Sequence, residues 1–366
     1  MNESILAFMN AYTRGKSGAD MCFIEIFKRL KCKNVSIVTS QLGKQLVQKN
    51  GLSAKYYITS REKTFQSVIQ TYVRRIFSGI IFSLKSPPPN IVYATSDALP
   101  DVLPTLIMKL RNKKVEWVQK IFHLIPKERK LSFYSQKLSF FFIRRFADVI
   151  IVDNDFLLKE LENQKFPTDK IKVNYLGIDV GYFDSVSKTK RTFDAVFMGR
   201  LHKSKGIFDL VAIWKNILIN LPNAKLAIIG TGEKKIVTEL KDLIVKNGLK
   251  KNITMFGYLE DNHAYSLIKS SQVFVYPSYE EGFGMVIGEV MACKIPVIAY
   301  DLPAYTYTFK KAIQTVPLGN THLFSRALLE LLVSNEERER LTQKGYTLAK
   351  KYTWKSTVER ERKYLW

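Results

Sequence analysis

Val273-Phe274-Val275-Tyr276-Pro277-Ser278-Tyr279-Glu280-Glu281-Gly282-Phe283-Gly284 is the stretch that decides the fold. Four apolar residues, 273–276, read as a buried strand, a proline and two glycines mark a turn, and the apolar run from Met285 reads as a helix. Residues 297–299 supply the next buried strand. Strand, loop, helix and strand in this order make a parallel βαβ unit whose sheet is covered on both faces. The unpaired N–H groups of the first helical turn, near 284–286, point toward the carboxyl edge of that sheet and favour an anion such as a diphosphate. Glu281 lies in the loop beside them. Glu289, about one turn inside the helix, has two oxygens that can accept from a neighbouring hydroxyl pair. Its neighbours are apolar, so burial of its carboxylate needs a reason that a solvated helix face would not.

The same alternation runs in both directions from this unit. After it restarts at 195–198, it continues through a helix from about Ile207, a strand at 225–229, a helix from Lys234 and a strand at 254–256. In the first half, Val35–Thr39, Ile91–Ala94, 115–120 and Val149–Val152 read as buried strands separated by helical stretches. The segment 181–192, with Ser185, Ser187, Lys188 and Lys190, is polar and suits a linker. The chain has 366 residues, more than one core usually covers. Two doubly wound α/β domains are therefore expected, 1–185 and 186–345, followed by a last segment, 346–366.

Composition narrows the function classes. The mix is that of an ordinary globular chain, and it excludes a disordered or disulfide-built protein. Cys22, Cys32 and Cys293 cannot all pair with one another and show no Cys-x-x-Cys spacing, which reads as a reducing compartment. No secretory signal is visible at the N-terminus, and the longest apolar candidate, 76–84, is about half of a bilayer span. Lys plus Arg total 57 against 33 Asp plus Glu, a net charge of +24 shared by both halves. Such an excess attracts nucleic acid, anionic lipid or a phosphorylated ligand.

A second motif, Gly199-Arg200-Leu201-His202-Lys203-Ser204-Lys205-Gly206, follows the first strand of the second domain. Fixed cations and helix N–H groups can stabilise a diphosphate as it gains charge, without a metal; read alone, the segment is a solvated basic loop. Gly230-Thr231-Gly232-Glu233 is a strand-turn-helix glycine pair, equally compatible with ligand contact and with tight packing.

With these motifs in hand, the sequence resembles the retaining glycosyltransferases of family 4, the glycosyl transferases group 1. Glu281 and Glu289 match that family's signature pair, and Met291-Ala292-Cys293 with Pro296-Val297-Ile298-Ala299 match its next strand. The likeness covers most of 193–300 well and the first half loosely. It implies the GT-B fold, two Rossmann-like parallel-sheet domains facing a cleft, the first for the acceptor and the second for a nucleotide diphosphate-sugar, with a final helix crossing back to the first. The resemblance gives Glu281 to the donor sugar, Glu289 to the nucleotide ribose, and Arg200 and Lys205 to the diphosphate; Gly199, Gly230, Gly282, Phe283, Gly284 and Met285 are further donor-binding candidates. Gly257 and Tyr258, after Phe256, fall in the stretch whose backbone faces the base, although core packing is the expected role of Phe256.

In the first domain, Arg14-Gly15-Lys16-Ser17-Gly18-Ala19-Asp20 resembles the family's first glycine-rich loop, which closes over the donor at Gly18 and meets the acceptor at Lys16. Its alternative is a helix N-terminus capped by Ser17. His123, in Ile121-Phe122-His123-Leu124-Ile125-Pro126, falls where the family often has a histidine near the reacting sugar; a satisfied core histidine is the competing reading. Asp97 ends a strand and is placed to receive an acceptor hydroxyl, with helix capping as the expected alternative. Two departures bear on the donor sugar: Lys294 replaces the usual glycine, and Asp301-Leu302-Pro303-Ala304-Tyr305 replaces a glycine-rich segment.

Residues 109–145 hold 11 basic and two acidic side chains, interleaved with Phe133, Tyr134, Phe140, Phe141 and Phe142. This suits anionic lipid, with nucleic acid as competitor and burial of much of the aromatic content in the core as an equal alternative. The expectation is a cytoplasmic, membrane-peripheral, metal-independent and cofactor-free enzyme that moves a sugar with retention from its nucleotide donor to a glycan or lipid-linked acceptor. A noncatalytic basic α/β protein is the alternative. A nicotinamide-dependent dehydrogenase is disfavoured by the lack of Gly-x-Gly-x-x-Gly after the first strand.

Overall fold

The computed structural model describes residues 4–11, 17–30, 32, 34–61 and 67–366. The chain divides into two compact units, Met1–Leu176 with Trp354–Trp366, and Gly177–Thr353. Each unit is an open parallel sheet flanked by helices.

In the first unit the strands are β1 (Ile5–Met9), β2 (Val35–Thr39), β3 (Lys55–Ile58), β4 (Ile91–Ala94), β5 (Glu116–Ile121), β6 (Val149–Val152) and β7 (Ile171–Val173), ordered 3-2-1-4-5-6-7. Between them run α1 (Gly18–Leu30), α2 (Gln41–Lys49), α3 (Val68–Lys85), α4 (Leu99–Arg111), α5 (Lys130–Phe146) and α6 (Asp155–Asn163). Strand β1 pairs in parallel with both β2 and β4, so the chain reverses its direction of winding there. At such a switch point adjacent loops part and leave a crevice at the carboxyl ends of the strands. Buried Asp101 braces this point, accepting from the N–H groups of Asn10 (2.6 Å) and Ala11 (3.0 Å) and from the Ser96 hydroxyl (2.6 Å). Lost solvation pushes its carboxyl up to about 7, against the pull of those hydrogen bonds.

The second unit opens with α7 (Val180–Ser185) and contains β8 (Phe193–Met198), α8 (Asp209–Asn220), β9 (Leu226–Ile229), α9 (Lys234–Lys246), β10 (Ile253–Gly257), α10 (Asp261–Lys269) and β11 (Ser271–Tyr276). It continues with α11 (Met285–Ala292), β12 (Val297–Tyr300), α12 (Pro303–Thr308), β13 (Gln314–Val316), α13 (Thr321–Val333) and α14 (Asn335–Ala349). The sheet order is 10-9-8-11-12-13, again with all pairs parallel and a switch point, here between β8 and β11. Full burial of Phe197, Phe274 and Trp214 fixes this core. Each aromatic removes roughly 150–250 Å² from water.

Three boundaries differ from the sequence expectation. The units part after Leu176 because 180–185 is helical: the Asp179 carboxylate accepts from Tyr182 N–H (3.1 Å), and Phe183 is buried. Helix α14 remains in the second unit, and the return begins at Trp354. Helix α8 starts at Asp209 because 203–205 form a 3-10 turn that Gly206 closes in the left-handed region, at φ 63°.

The returning helix, α15 (Trp354–Leu365), packs against α1. It carries Glu361, fully buried, into the first unit's sheet. Its carboxylate accepts from Asn174 Nδ2 (2.6 Å) and the Tyr93 hydroxyl (2.5 Å) and pairs with Lys120 Nζ at 3.3 Å. Burial, the largest single influence, would lower the Lys120 pKa; the Glu361 charge and hydrogen bond, together with the charges of Cys22 and Asp153, outweigh it, and the net direction is upward.

Candidate functional site

The candidate residues of the second unit cluster at the β8/β11 switch point. Gly199 follows β8 and donates its N–H to Ile229 O (3.0 Å), while Gly230 N–H reaches Gly257 O (2.8 Å), so the ends of β8, β9 and β10 are laced together. Gly230 has φ 140°, and a Cβ there would fall 1.8 Å from Gly199 O; one at Gly232 would fall 2.0 Å from Leu201 O. Close backbone packing accounts for this glycine pair. Gly257 has φ 70° and open space where a Cβ would lie, and Tyr258 beyond it is exposed. Phe256 packs edge-on against Phe193, with Arg191 over its ring.

From the β8 side the loop 199–206 crosses to the β11 loop and is clamped to it. Tyr279 N–H donates to Ser204 O (2.8 Å), and Gly206 approaches Pro277 so closely that a Cβ would sit 1.9 Å from its carbonyl oxygen. The clamp brings Lys205 Nζ to 2.5 Å from Glu281 Oε1 and 3.2 Å from Glu280 O. Two further donors meet the same Glu281 oxygen, the Tyr276 hydroxyl at 2.7 Å and the Ser278 hydroxyl at 3.1 Å. Burial first, and then the Glu281 charge, hold the Tyr276 phenol well above its ordinary range, so it stays a donor. Arg200 is exposed and near enough for its charge to oppose that shift.

Gly284 caps α11 in the left-handed region (φ 80°), with the aromatic rings of Phe309 and Tyr305 3.1–3.2 Å from where a Cβ would stand. Phe283 is buried against Phe309 and Tyr352. Met285 opens the helix, and Glu289, one turn on, accepts from the Tyr265 hydroxyl of α10 at 2.5 Å. Burial, reinforced by Glu289, raises the Tyr265 pKa well above normal. Gly282 belongs to the same loop. Thus Gly199, Arg200, Lys205, Gly230, Gly257, Glu281, Gly284 and Glu289 all lie at strand ends, on the loops that follow them or in the first two turns of a helix, along one sheet edge.

The sequence reading did not single out the partners that hold Glu281, Tyr276 and Ser278, or the Asp209 carboxylate, which accepts from Tyr279 (2.7 Å) and Tyr300 (2.6 Å). A serine two residues after a buried strand tyrosine was the available signal for the first pair; nothing local links Asp209 to Tyr300. Lys294 adopts φ 61°, the conformation in which glycine is favoured. Its ammonium pairs with Asp184 (2.9 Å) and lies over Tyr346 (4.5 Å), which explains how a lysine is held there.

In the first unit, His123 follows β5 and Asp97 follows β4. Gln136 of α5 joins them: its Nε2 donates to Asp97 Oδ2 (2.6 Å) and His123 O (2.9 Å), while its Oε1 accepts from Ile125 N–H (2.8 Å). Asp97 does not cap α4, as expected from sequence; the cap position is Ala98, and the Asp97 carboxylate is drawn to the Gln136 amide instead. Desolvation raises its pKa while the neighbouring His123 lowers it. Ser17 does cap α1, accepting from Asp20 N–H (3.1 Å), with Gly18 exposed at the helix start. Arg14, Gly15 and Lys16 lie outside the described residues.

Comparison with known proteins accords with this geometry. Residues 182–348 match the family described as glycosyl transferases group 1. An uncharacterized glycosyltransferase of Methanocaldococcus jannaschii is 29% identical over 224 residues, 57% of this chain and 53% of that protein. A phosphatidyl-myo-inositol mannosyltransferase of Mycobacterium leprae is 28% identical over 163 residues, 43% and 42% of the two chains. The matches span about half the length of these relatives. The crystal structure of Anabaena HepE with UDP and glucose superposes with a TM-score of 0.80 over 100% of this chain and 99% of that one, at 16% identity. The fold is GT-B, and the resemblance to the group 1 glycosyltransferases extends from the motifs to the family match.

Proposed function

We propose, from the match of residues 182–348 to the glycosyl transferases group 1, that the protein transfers a sugar from a nucleotide diphosphate-sugar to a glycan or lipid-linked acceptor with retention of configuration. The observation that carries this reading is the Lys205–Glu281 pair at the β8/β11 switch point, beside the N-terminus of α11. Two chemical demands of the reaction meet there. A departing diphosphate gains negative charge, which Arg200, Lys205 and the first N–H groups of α11 would stabilise by fixed electrostatics. These protein cations would carry the charge without a metal. The sugar must be oriented while its bond breaks; with Oε1 of Glu281 taken by three donors, Oε2 is the oxygen offered to a sugar hydroxyl.

Glu289 would hold the ribose, with Tyr265 fixing its carboxylate. Tyr258, exposed beyond Gly257, and the Gly257 backbone would face the base. Gly230 would act indirectly, by letting the β8 and β9 loops meet. For the transfer itself, an oxygen of the leaving diphosphate would take the acceptor proton on the same face of the ring, so configuration is kept. His123, through its ring or carbonyl, would support positive charge on the sugar, and Asp97 and Lys16 would receive the acceptor. The name of one relative, a phosphatidyl-myo-inositol mannosyltransferase, supports a lipid-linked acceptor and a role in polysaccharide or glycolipid synthesis. The test is transfer from a panel of uridine, guanosine and adenosine diphosphate-sugars, with the product anomer read by NMR. Retention is expected, with loss of transfer in folded Glu281→Ala and Lys205→Ala; full activity in either variant, or inversion, would refute the assignment.

A further inference from the structure

Helix α3 bears Ile69, Val73, Phe77, Ile81 and Leu84, all exposed, Phe77 to 64%. At 100° per residue these five fall within an arc of about 120°, one continuous apolar stripe. On α5, Leu131, Tyr134, Leu138 and Phe141 are also exposed, Tyr134 to 68%, and their spacing places them within an arc of about 80°. Helix α4 packs against both α3 and α5 and exposes Leu110 near its end. Elsewhere, among the described residues, exposed apolar side chains such as Ile219, Val245 and Tyr258 are scattered, with at most two on any one helix, the ordinary state of a protein surface. Clustering on three adjacent helices of one unit is not ordinary.

The charge around the stripes states what covers them. Neither α3 nor α5 contains an aspartate or glutamate. Arg74, Lys85, Lys130, Lys137, Arg144 and Arg145 are exposed on these two helices. An apolar stripe whose charged neighbours on both helices are all cations matches the interface of a bilayer with anionic headgroups, where the side chains enter the acyl boundary and the cations meet phosphate. A second copy of the chain would bring the same cations against one another, on a protein of net charge +24. No helix among the described residues is long and apolar enough to cross a membrane, so this contact lies in the interface plane.

We propose that the α3–α5 face of the first unit docks onto an anionic membrane surface, with Phe77, Ile81, Tyr134 and Phe141 as the inserting side chains. The inference does not depend on the donor site. Its test is co-sedimentation of the full chain with phosphatidylglycerol–phosphatidylcholine vesicles, without nucleotide, alongside pure phosphatidylcholine vesicles. The paired variant Phe77→Ser/Phe141→Ser removes insertion while leaving charge intact, and Lys137→Gln/Arg144→Gln does the reverse. Because all four side chains are exposed, both variants should melt as the parent does. The expected result is binding to the anionic vesicles only, weakened about tenfold or more in each variant, with 0.5 M salt abolishing binding of the serine variant but not of the parent. The proposal is overturned if the parent does not sediment, if the serine variant binds equally well, or if the serine substitutions act instead by dissociating a dimer.

Discussion

Replacing Glu361 with leucine should unfold the first unit at markedly lower temperature. The carboxylate is fully buried, the Lys120 ammonium is 2% exposed, and the Tyr93 hydroxyl and Asn174 amide both rely on the same acceptor. Removing one partner of a buried pair costs about 3–5 kcal/mol, because the other charge is left uncompensated. Asp153, also buried, feels the Lys120 charge and takes up part of the deficit, so about 3 kcal/mol is expected. At roughly 2–4 °C per kcal/mol for a unit of this size, the midpoint should fall by about 10 °C. Calorimetry follows the midpoint, and a double-mutant cycle with Lys120→Met isolates the pair. The double variant Lys120→Met/Glu361→Leu should be clearly more stable than the sum of the two single losses, retaining a cost of roughly 1–3 kcal/mol for the unpaired Tyr93 and Asn174 groups. A Glu361→Leu midpoint within 2 °C of the parent, or a double variant as unstable as the sum of the singles, would refute the reasoning.

Other expectations follow from the same geometry. Burial raises the carboxyls of Asp20 to about 6, Asp101 to about 7 and Asp153 to about 8. Each therefore keeps its proton to higher pH folded than unfolded, and unfolding releases protons between about pH 4 and 8. The first unit's melting midpoint should accordingly rise as pH is lowered from 8 to 5, with a shallower slope in Asp153→Asn; a midpoint that falls over that range contradicts the assignment. Gly206→Ala should cost upward of about 2 kcal/mol, from a left-handed backbone and the clash with Pro277 O, and should weaken donor binding as the clamp opens. Unchanged melting would show that the two loops are not held together there. Tyr276→Phe and Ser278→Ala each remove one hydrogen bond to Glu281 and should lower transfer about tenfold, with little change in melting; steady-state kinetics on both variants decides it.

The sequence reading missed the fully buried middle strand Ile5–Met9, whose Leu6, Ala7 and Met9 suit a helix as well as a strand, but found Val35–Thr39, Ile91–Ala94 and Val149–Val152, which are short, mostly apolar and largely buried. Helix starts at Lys234 and Met285 were equally plain, one following a glycine turn and the other a glycine cap. Of the four edge strands, only Ile253–Gly257 was read. Lys55–Ile58 is half exposed, and Ile171–Val173 and Gln314–Val316 have three residues each, too short for a period to show. In the candidate site, Glu281 and Lys205 could be read as a pair only through the family's motif, since 76 positions separate them. Their clamp depends on Gly206 meeting Pro277, a tertiary approach with no local signature. The Asp97 side chain turned to Gln136, on the facing helix, because a charged or amide partner from another element outcompeted the local cap. Glu361 and Lys120, 241 positions apart, meet only because α15 returns to the first unit.

The account turns on diphosphate held by Arg200, Lys205 and the start of α11. Isothermal titration of the parent and of Arg200→Ala/Lys205→Ala with uridine, guanosine and adenosine diphosphates tests this most directly. One nucleotide should bind the parent, and the paired substitution should weaken it by about 100-fold or more while melting stays unchanged. Equal affinity in the two proteins, or no binding of any nucleotide to the parent, would contradict it.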